Sequence, residues 1–118
     1  MARILLVDDD ELVRATLVAM LQSAGHQTDE AMNVVSGLQQ LTEIPYDLVI
    51  TDILMPDKNG FDLMMDLKRR YPAQKVLAIS GNSGGVVLST AKYLGASATL
   101  RKPLDSEEFL DVVEGLVS

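Results

Sequence analysis

The sequence predicts an α/β fold on one parallel sheet, doubly wound, and three observations predict it. Apolar runs of strand length recur along the chain, stretches of helical period lie between them, and Gly or Pro punctuates the junctions. The strongest runs are continuous rather than alternating, which indicates strands covered on both faces. Strand and helix alternating at this spacing implies right-handed crossovers between parallel strands.

Taken in order, Ile4-Leu5-Leu6-Val7 is the first strand and runs into Asp8-Asp9-Asp10. Val13, Leu17, Met20, Leu21 and Ala24 then repeat at helical spacing, and Gly25 follows them as a stop. Gln27 to Ala31 is a weaker strand, and Pro45 closes the second helix. Leu48-Val49-Ile50 is the third strand and ends in Thr51-Asp52, with Pro72 following the third helix. Val76-Leu77-Ala78-Ile79 is the fourth strand and ends in Ser80-Gly81-Asn82. Gly84 and Gly85 open the fourth helix, where each glycine costs roughly 1 kcal/mol relative to Ala, so a loosely held segment is expected. Ala98 to Arg101 is a weaker fifth strand ending in Lys102-Pro103. Ser106 with Glu107 and Glu108 suits a helix start, and Phe109, Val112, Val113, Leu116 and Val117 supply the apolar stripe of the fifth helix. The expected architecture is a five-stranded parallel sheet in 2-1-3-4-5 order, with five helices on its two faces.

The 118 residues suit a single domain, 1–118, able to close one core. Without cysteine there is no disulfide framework and no thiolate metal site, which fits a reducing compartment. The opening apolar run is too short for a signal peptide or a membrane span, so the expected location is the cytoplasm, with no membrane partner. A net charge of −7 repels phosphate backbones, and no cluster of Lys or Arg with interleaved aromatics offsets it, so direct nucleic-acid binding is not expected.

Ligands in such sheets sit beyond the carboxyl ends of the strands. Four of those ends carry Asp8-Asp9-Asp10, Asp52, Ser80 and Lys102. In the 2-1-3-4-5 order, Asp8, Asp9 and Asp52 crowd together. Two carboxylates about 4 Å apart repel by roughly 4 kcal/mol at an effective dielectric near 20, so the cluster calls for a cation. Mg²⁺ suits it, because that ion takes oxygen ligands and binds through one or two carboxylates plus phosphate oxygens. With Mg²⁺ and the Lys102 ammonium on either side, an Asp52 oxygen is placed to attack phosphorus while the cations neutralise the transferring oxygens. The Ser80 hydroxyl is placed to donate to one of them.

The segments Val7-Asp8-Asp9-Asp10-Glu11, Thr51-Asp52-Ile53-Leu54-Met55-Pro56 with Asn59-Gly60, Ser80-Gly81, Gly95-Ala96-Ser97 and Lys102-Pro103 together resemble response-regulator receivers over essentially the whole chain. The resemblance implies a chemotaxis-regulator-like, flavodoxin-like fold and a two-component phosphoacceptor switch. It assigns Asp8 and Asp9 to the acidic pair that holds Mg²⁺, and Asp52 to the acceptor, itself a metal ligand. Leu54 is to lend a backbone carbonyl to the metal, and Ser80 and Lys102 are to coordinate the phosphoryl group. It implies a cis peptide before Pro103. The implied partners are a sensor histidine kinase or histidine phosphotransfer protein, and a downstream effector protein or fused output domain. A phosphorylation-dependent homodimer is left open. Thr99 departs from the family, which commonly has Tyr or Phe there as a rotating aromatic switch.

Singly, these residues have plainer readings. The acid run from Asp8 to Glu11 fits a solvated helix start, Asp52 a cap, Lys102 a surface lysine and Ser80 a turn residue. Four such residues at the ends of four strands, in the right order, point to one site. His26 is expected at the surface of the opposite edge, so a phosphodonor histidine must come from another protein. Met55 and Pro56 are expected to shape the loop after the acceptor, Met64 and Met65 to pack helices, and Gly60 to supply a backbone turn. A Mg²⁺-dependent phosphohydrolase would use the same carboxylates and lysine, but it needs a substrate pocket and a spaced Asp-x-Asp on the first strand. Flavin or dinucleotide binding needs a Gly-rich phosphate loop where this chain has carboxylates. A phosphorylation-independent adaptor would not need the acceptor, metal and switch positions that are present.

Overall fold

In the computed structural model, which describes residues 2–55, 60–81 and 85–118, strands and helices alternate through the chain. They are β1 (Arg3–Val7), α1 (Glu11–Ser23), β2 (Gln27–Ala31), α2 (Val34–Glu43), β3 (Leu48–Asp52), α3 (Gly60–Arg70), β4 (Val76–Ser80), α4 (Gly85–Tyr93), β5 (Ala98–Arg101) and α5 (Ser106–Val117). The strands pair in parallel in the order β2-β1-β3-β4-β5, as the sequence predicts. Of the positions singled out above, Pro56, Asn59, Asn82 and Gly84 lie outside the described residues.

Alternation along the central strands divides one apolar run between two cores. Ile4, Leu6, Leu48, Ile50, Leu77 and Ile79 point to the face covered by α1 and α5, where Leu17, Leu21, Phe109 and Val113 meet them. Leu5, Val7, Val49, Val76 and Ala78 point the other way, against Val34 and Leu41 of α2, Leu63, Met64 and Leu67 of α3 and Ala91 of α4. Every residue of β3 and β4 is buried, which explains why those strands read as continuous apolar runs. Strand β2 lies at the sheet edge and is legible only weakly, because polar pairs hold it in place. Asp29 accepts from the Arg3 guanidinium and, at 2.7 Å, from the Tyr46 hydroxyl. Burial and the neighbouring Asp29 carboxylate hold that phenol above its ordinary range.

Helix ends follow local chemistry. Asp10 caps α1 by accepting from the backbone N–H groups of Leu12 and Val13, and Asn33 caps α2 by accepting from Ser36. Gly25 and Gly95 take positive φ after α1 and α4, where a side chain would be strained. Helix α5 starts at Ser106, as the sequence suggests, with Asp105 as its cap accepting from the Glu108 N–H.

Three expectations are corrected. His26 is buried, 6% exposed, not a surface residue. Its Nδ1 accepts from the Ala2 N–H at 3.2 Å, so Nε2 carries the proton and donates to Glu114 at 2.6 Å. The partner on α5 is 88 residues away, so nothing in the local sequence announces it. Met65 is 52% exposed and, among the described residues, belongs to neither core, whereas Met64 is buried in the core beneath α3 as expected. Gly60 is not a positive-φ turn residue. It opens α3 hard against the end of β3, where a Cβ would lie 2.5 Å from the Asp52 carbonyl oxygen and 2.8 Å from Ile53 Cα.

Candidate functional site at the carboxyl rim

Register brings the site together. Val7 of β1 pairs with Thr51 of β3, so the next residues, Asp8 and Asp52, leave the sheet side by side. Asp52 pairs with Ile79 and Ser80 with Arg101, which sets Ser80 and Lys102 on the same rim. The backbone continues these ladders past the strand ends: Asp8 N–H donates to Ala31, Ile53 N–H to Ile79, and Lys102 N–H to Ser80. The peptide between Lys102 and Pro103 is cis.

The carboxylates of Asp8, Asp9 and Asp52 each place an oxygen within 4.8 Å of the others. Asp8 and Asp52 are buried and Asp9 is exposed. Lys102 Nζ donates to Asp8 Oδ2 at 2.9 Å and to Asp52 Oδ2 at 3.2 Å. The remaining oxygens of the buried pair are held by the backbone, Asp8 Oδ1 by the Asp10 N–H at 2.9 Å and Asp52 Oδ1 by the Leu54 N–H at 3.3 Å. Leu54 itself is 41% exposed, and Ser80 is fully buried at the end of β4.

Burial pushes the Asp52 carboxyl above its ordinary range; the Lys102 charge pulls it down, Asp8 pushes it up again, and the net shift is upward. Burial alone would lower the Lys102 ammonium, but its bond to Asp8 and the charges of Asp52 and Asp8 outweigh that and raise it. Lys102 therefore stays charged, and among the described residues it is the cation that bonds to these carboxylates, one ammonium set against three acids. A divalent cation would add positive charge to that cluster. The donors are all hard carboxylate oxygens, one of them open to solvent, and this set fits Mg²⁺.

The acid run thus divides. Asp10 and Glu11 form the plain helix start, while Asp8 and Asp9 join the cluster. Two contributors were not visible in the sequence. The Thr51 hydroxyl donates to the Asp52 carbonyl at 2.8 Å. Arg14 reaches back from α1 to donate to the Asp8 carbonyl at 2.7 Å and to Glu30 at 3.2 Å. A cation in the first turn opposes the helix dipole, and that local misfit was the one signal that could have drawn notice. Beside the cluster an apolar groove of about 490 Å³ runs between Leu12, Val13 and Leu17 of α1 and Lys102, Pro103 and Leu104.

A doubly wound parallel sheet with acids, a buried hydroxyl and a lysine on its carboxyl rim defines a class of phosphoryl-handling α/β domain rather than a nucleotide fold. Comparison with known proteins narrows the class: residues 4–114 match the response regulator receiver domain, and the chain belongs to that family. It is 34% identical over 96% of its length to the DNA-binding transcriptional regulator NtrC of Azospirillum brasilense, of which it spans only 24%. To the protein PilH of Pseudomonas aeruginosa it is 32% identical, covering 100% of this chain and 99% of that one. The chemotaxis protein CheY4 of Vibrio cholerae superposes with a TM-score of 0.91 at 25% identity, covering 98% of each chain. The chain is thus a signalling domain of two-component systems, a family whose members work with histidine kinases and effector domains. Among the described residues no helix is long and apolar enough to cross a membrane.

Proposed function

We propose that Asp52 is the phosphoacceptor and that the domain, 1–118, works as a Mg²⁺-dependent switch. The observation that carries this is the Lys102 ammonium bridging Asp8 and Asp52 within a three-carboxylate cluster. In the reaction an Asp52 oxygen bonds to phosphorus as the P–N bond to a partner's phosphohistidine breaks, and the imidazole leaves. Asp9, Asp52 and the Leu54 backbone carbonyl would hold the metal, with Asp8 completing the acidic pair. Bound there, Mg²⁺ would supply positive charge against the phosphoryl oxygens.

The chain's own groups do the rest. The Leu54 N–H and Lys102 orient the Asp52 carboxylate, and burial strips it of water. On phosphorylation Lys102 follows the phosphoryl oxygens, and the Ser80 hydroxyl donates to one of them, which moves the end of β4. The donor is a histidine kinase or a histidine phosphotransfer protein, and the apolar groove beside Lys102 offers it a docking edge. The signal passes to an effector protein or fused output domain, in the cytoplasm, without direct contact with nucleic acid. A phosphorylation-dependent homodimer is compatible with this reading.

Acetyl phosphate with Mg²⁺ tests it directly. Intact-protein mass should show one added phosphoryl group on the wild type and none on Asp52→Asn. Equal labelling of the two would remove Asp52 from the role.

A further inference from the structure

We propose that Arg14 is a positioning residue for the metal site: by holding the Asp8 carbonyl it sets the Asp8–Asp9 peptide, and so aims the Asp9 carboxylate at the cluster. This rests on the reading of Asp9 as a metal ligand.

The placement of Arg14 is unfavourable locally. It lies in the first turn of α1, where a cation opposes the helix dipole, yet its side chain is only 14% exposed. Helical side chains lean toward the helix N-terminus, and that lean carries the guanidinium over Asp10 to the end of β1. There Nη1 donates to the Asp8 carbonyl at 2.7 Å while Nε donates to Glu30 Oε1 at 3.2 Å. A rigid planar fork serves both partners at once, and a single ammonium would not.

What the fork holds matters because of what Asp9 lacks. Asp8 is fixed on every side: its N–H by Ala31, its carboxylate by Lys102 and the Asp10 N–H, its carbonyl by Arg14. The Asp9 side chain has no hydrogen-bond partner among the described residues and is exposed, so only its backbone directs it. The peptide plane that precedes Asp9 contains the carbonyl that Arg14 grips. Rotation of that plane would swing the Asp9 carboxylate out of reach of Asp8 and Asp52.

Two roles for Arg14 make opposite predictions. If it acted only as a nearby charge, Arg14→Gln would remove a repelling cation and tighten Mg²⁺. If it positions Asp9, the same change weakens Mg²⁺, by about tenfold where a group behind a metal ligand is lost. Arg14→Lys, keeping the charge but not the fork, should fall between Gln and the wild type. Glu30→Gln, which leaves the bond to Asp8 intact, should bind Mg²⁺ within about twofold of the wild type, an effect well below that expected for losing the bond itself.

Mg²⁺ titration of the full chain, followed by the amide resonances of Asp9 and Asp10, reads all four proteins, with thermal melts to correct for stability. Weaker Mg²⁺ in Arg14→Gln, partly restored in Arg14→Lys, supports the proposal. Unchanged or tighter Mg²⁺ in folded Arg14→Gln overturns it, whatever its melting temperature. Should Arg14→Gln not fold, the proposal stands on Arg14→Lys weakening Mg²⁺ and falls if Lys binds like the wild type. A wild type that binds no Mg²⁺ would instead remove the metal reading beneath it.

Discussion

The ammonium of Lys102 lies nearer to Asp8, at 2.9 Å, than to Asp52, at 3.2 Å, although Asp52 is the residue it is to serve in phosphotransfer. Asp8 is the more deeply buried partner, its side chain 2% exposed against 9% for Asp52. In the resting domain Lys102 is first a counter-charge for Asp8. The same arm then needs only a small displacement to meet oxygens carried on Asp52.

Removing that counter-charge should be costly until a metal replaces it. Lys102→Met takes the ion-pair partner from the buried Asp8 carboxyl, a change that typically costs about 3–5 kcal/mol. The expected result is a lower melting temperature that Mg²⁺ raises more in the variant than in the wild type. The variant should still bind the metal but pass on phosphorylation poorly. Melts with and without Mg²⁺ check the first part, and equal Mg²⁺ stabilisation of both proteins would contradict it.

Asp52 should show the converse. An acid whose folded pKa lies above its ordinary 3.8 binds its proton more tightly in the folded state. Its ionisation therefore destabilises the fold increasingly as pH rises from 3.8 through the raised value. Asp52→Asn removes that penalty together with repulsion from Asp8, so the variant should melt higher than the wild type at pH 7. A gain of about 1 kcal/mol moves the midpoint by roughly 4 °C in a domain of this size. The gap should narrow as pH falls toward 4, and a gap that widened on acidification would reverse the assignment.

The sequence was most informative where burial on both faces wrote apolar runs into the strands. It was least so where structure depends on distant partners. Given the 2-1-3-4-5 order, the clustering of Asp8, Asp9 and Asp52 beside Lys102 follows from strand ends, because a parallel sheet delivers all its carboxyl ends to one rim. His26 misled because its partners, Ala2 and Glu114, come from the chain start and from α5. Arg14 went unnoticed for a related reason: its value lies in the Asp8 carbonyl, and a backbone atom has no sequence signature. Gly60 was singled out as a glycine, but the need is for space beside Asp52 rather than for positive φ.

That space gives a third prediction. In an open helix position Gly→Ala gains about 1 kcal/mol of propensity. At Gly60 the added methyl would lie 2.5 Å from the Asp52 carbonyl oxygen and 2.8 Å from Ile53 Cα, both backbone atoms that cannot step aside alone. Overpacking of this kind costs roughly 1–3 kcal/mol, so Gly60→Ala should be destabilising. It should also slow labelling by acetyl phosphate, since the end of β3 that carries Asp52 must shift. A variant as stable as the wild type and labelled at the same rate would show that the contact relaxes freely.

The lifetime of the phosphorylated state should be set at Leu54, two residues past the acceptor. Its N–H is tied to Asp52 Oδ1 at 3.3 Å, which fixes the residue beside the carboxylate, and Leu54 is 41% exposed. Hydrolysis requires a water aligned with the phosphorus atom, and an isobutyl group offers that water no hydrogen bond. A side chain that orients an attacking water commonly contributes a factor of about 100 or more when ideally placed. Leu54→Asn adds an amide at an exposed, unoptimised position, so the expected shortening is about tenfold, below the factor for an ideally placed group. The measurement is the decay of the phosphorylated mass after the donor is removed, at fixed Mg²⁺. A lifetime unchanged in both Leu54→Asn and Leu54→Ala would mean that access of water is governed elsewhere on the rim, whereas faster decay in Ala alone would make Leu54 a steric shield.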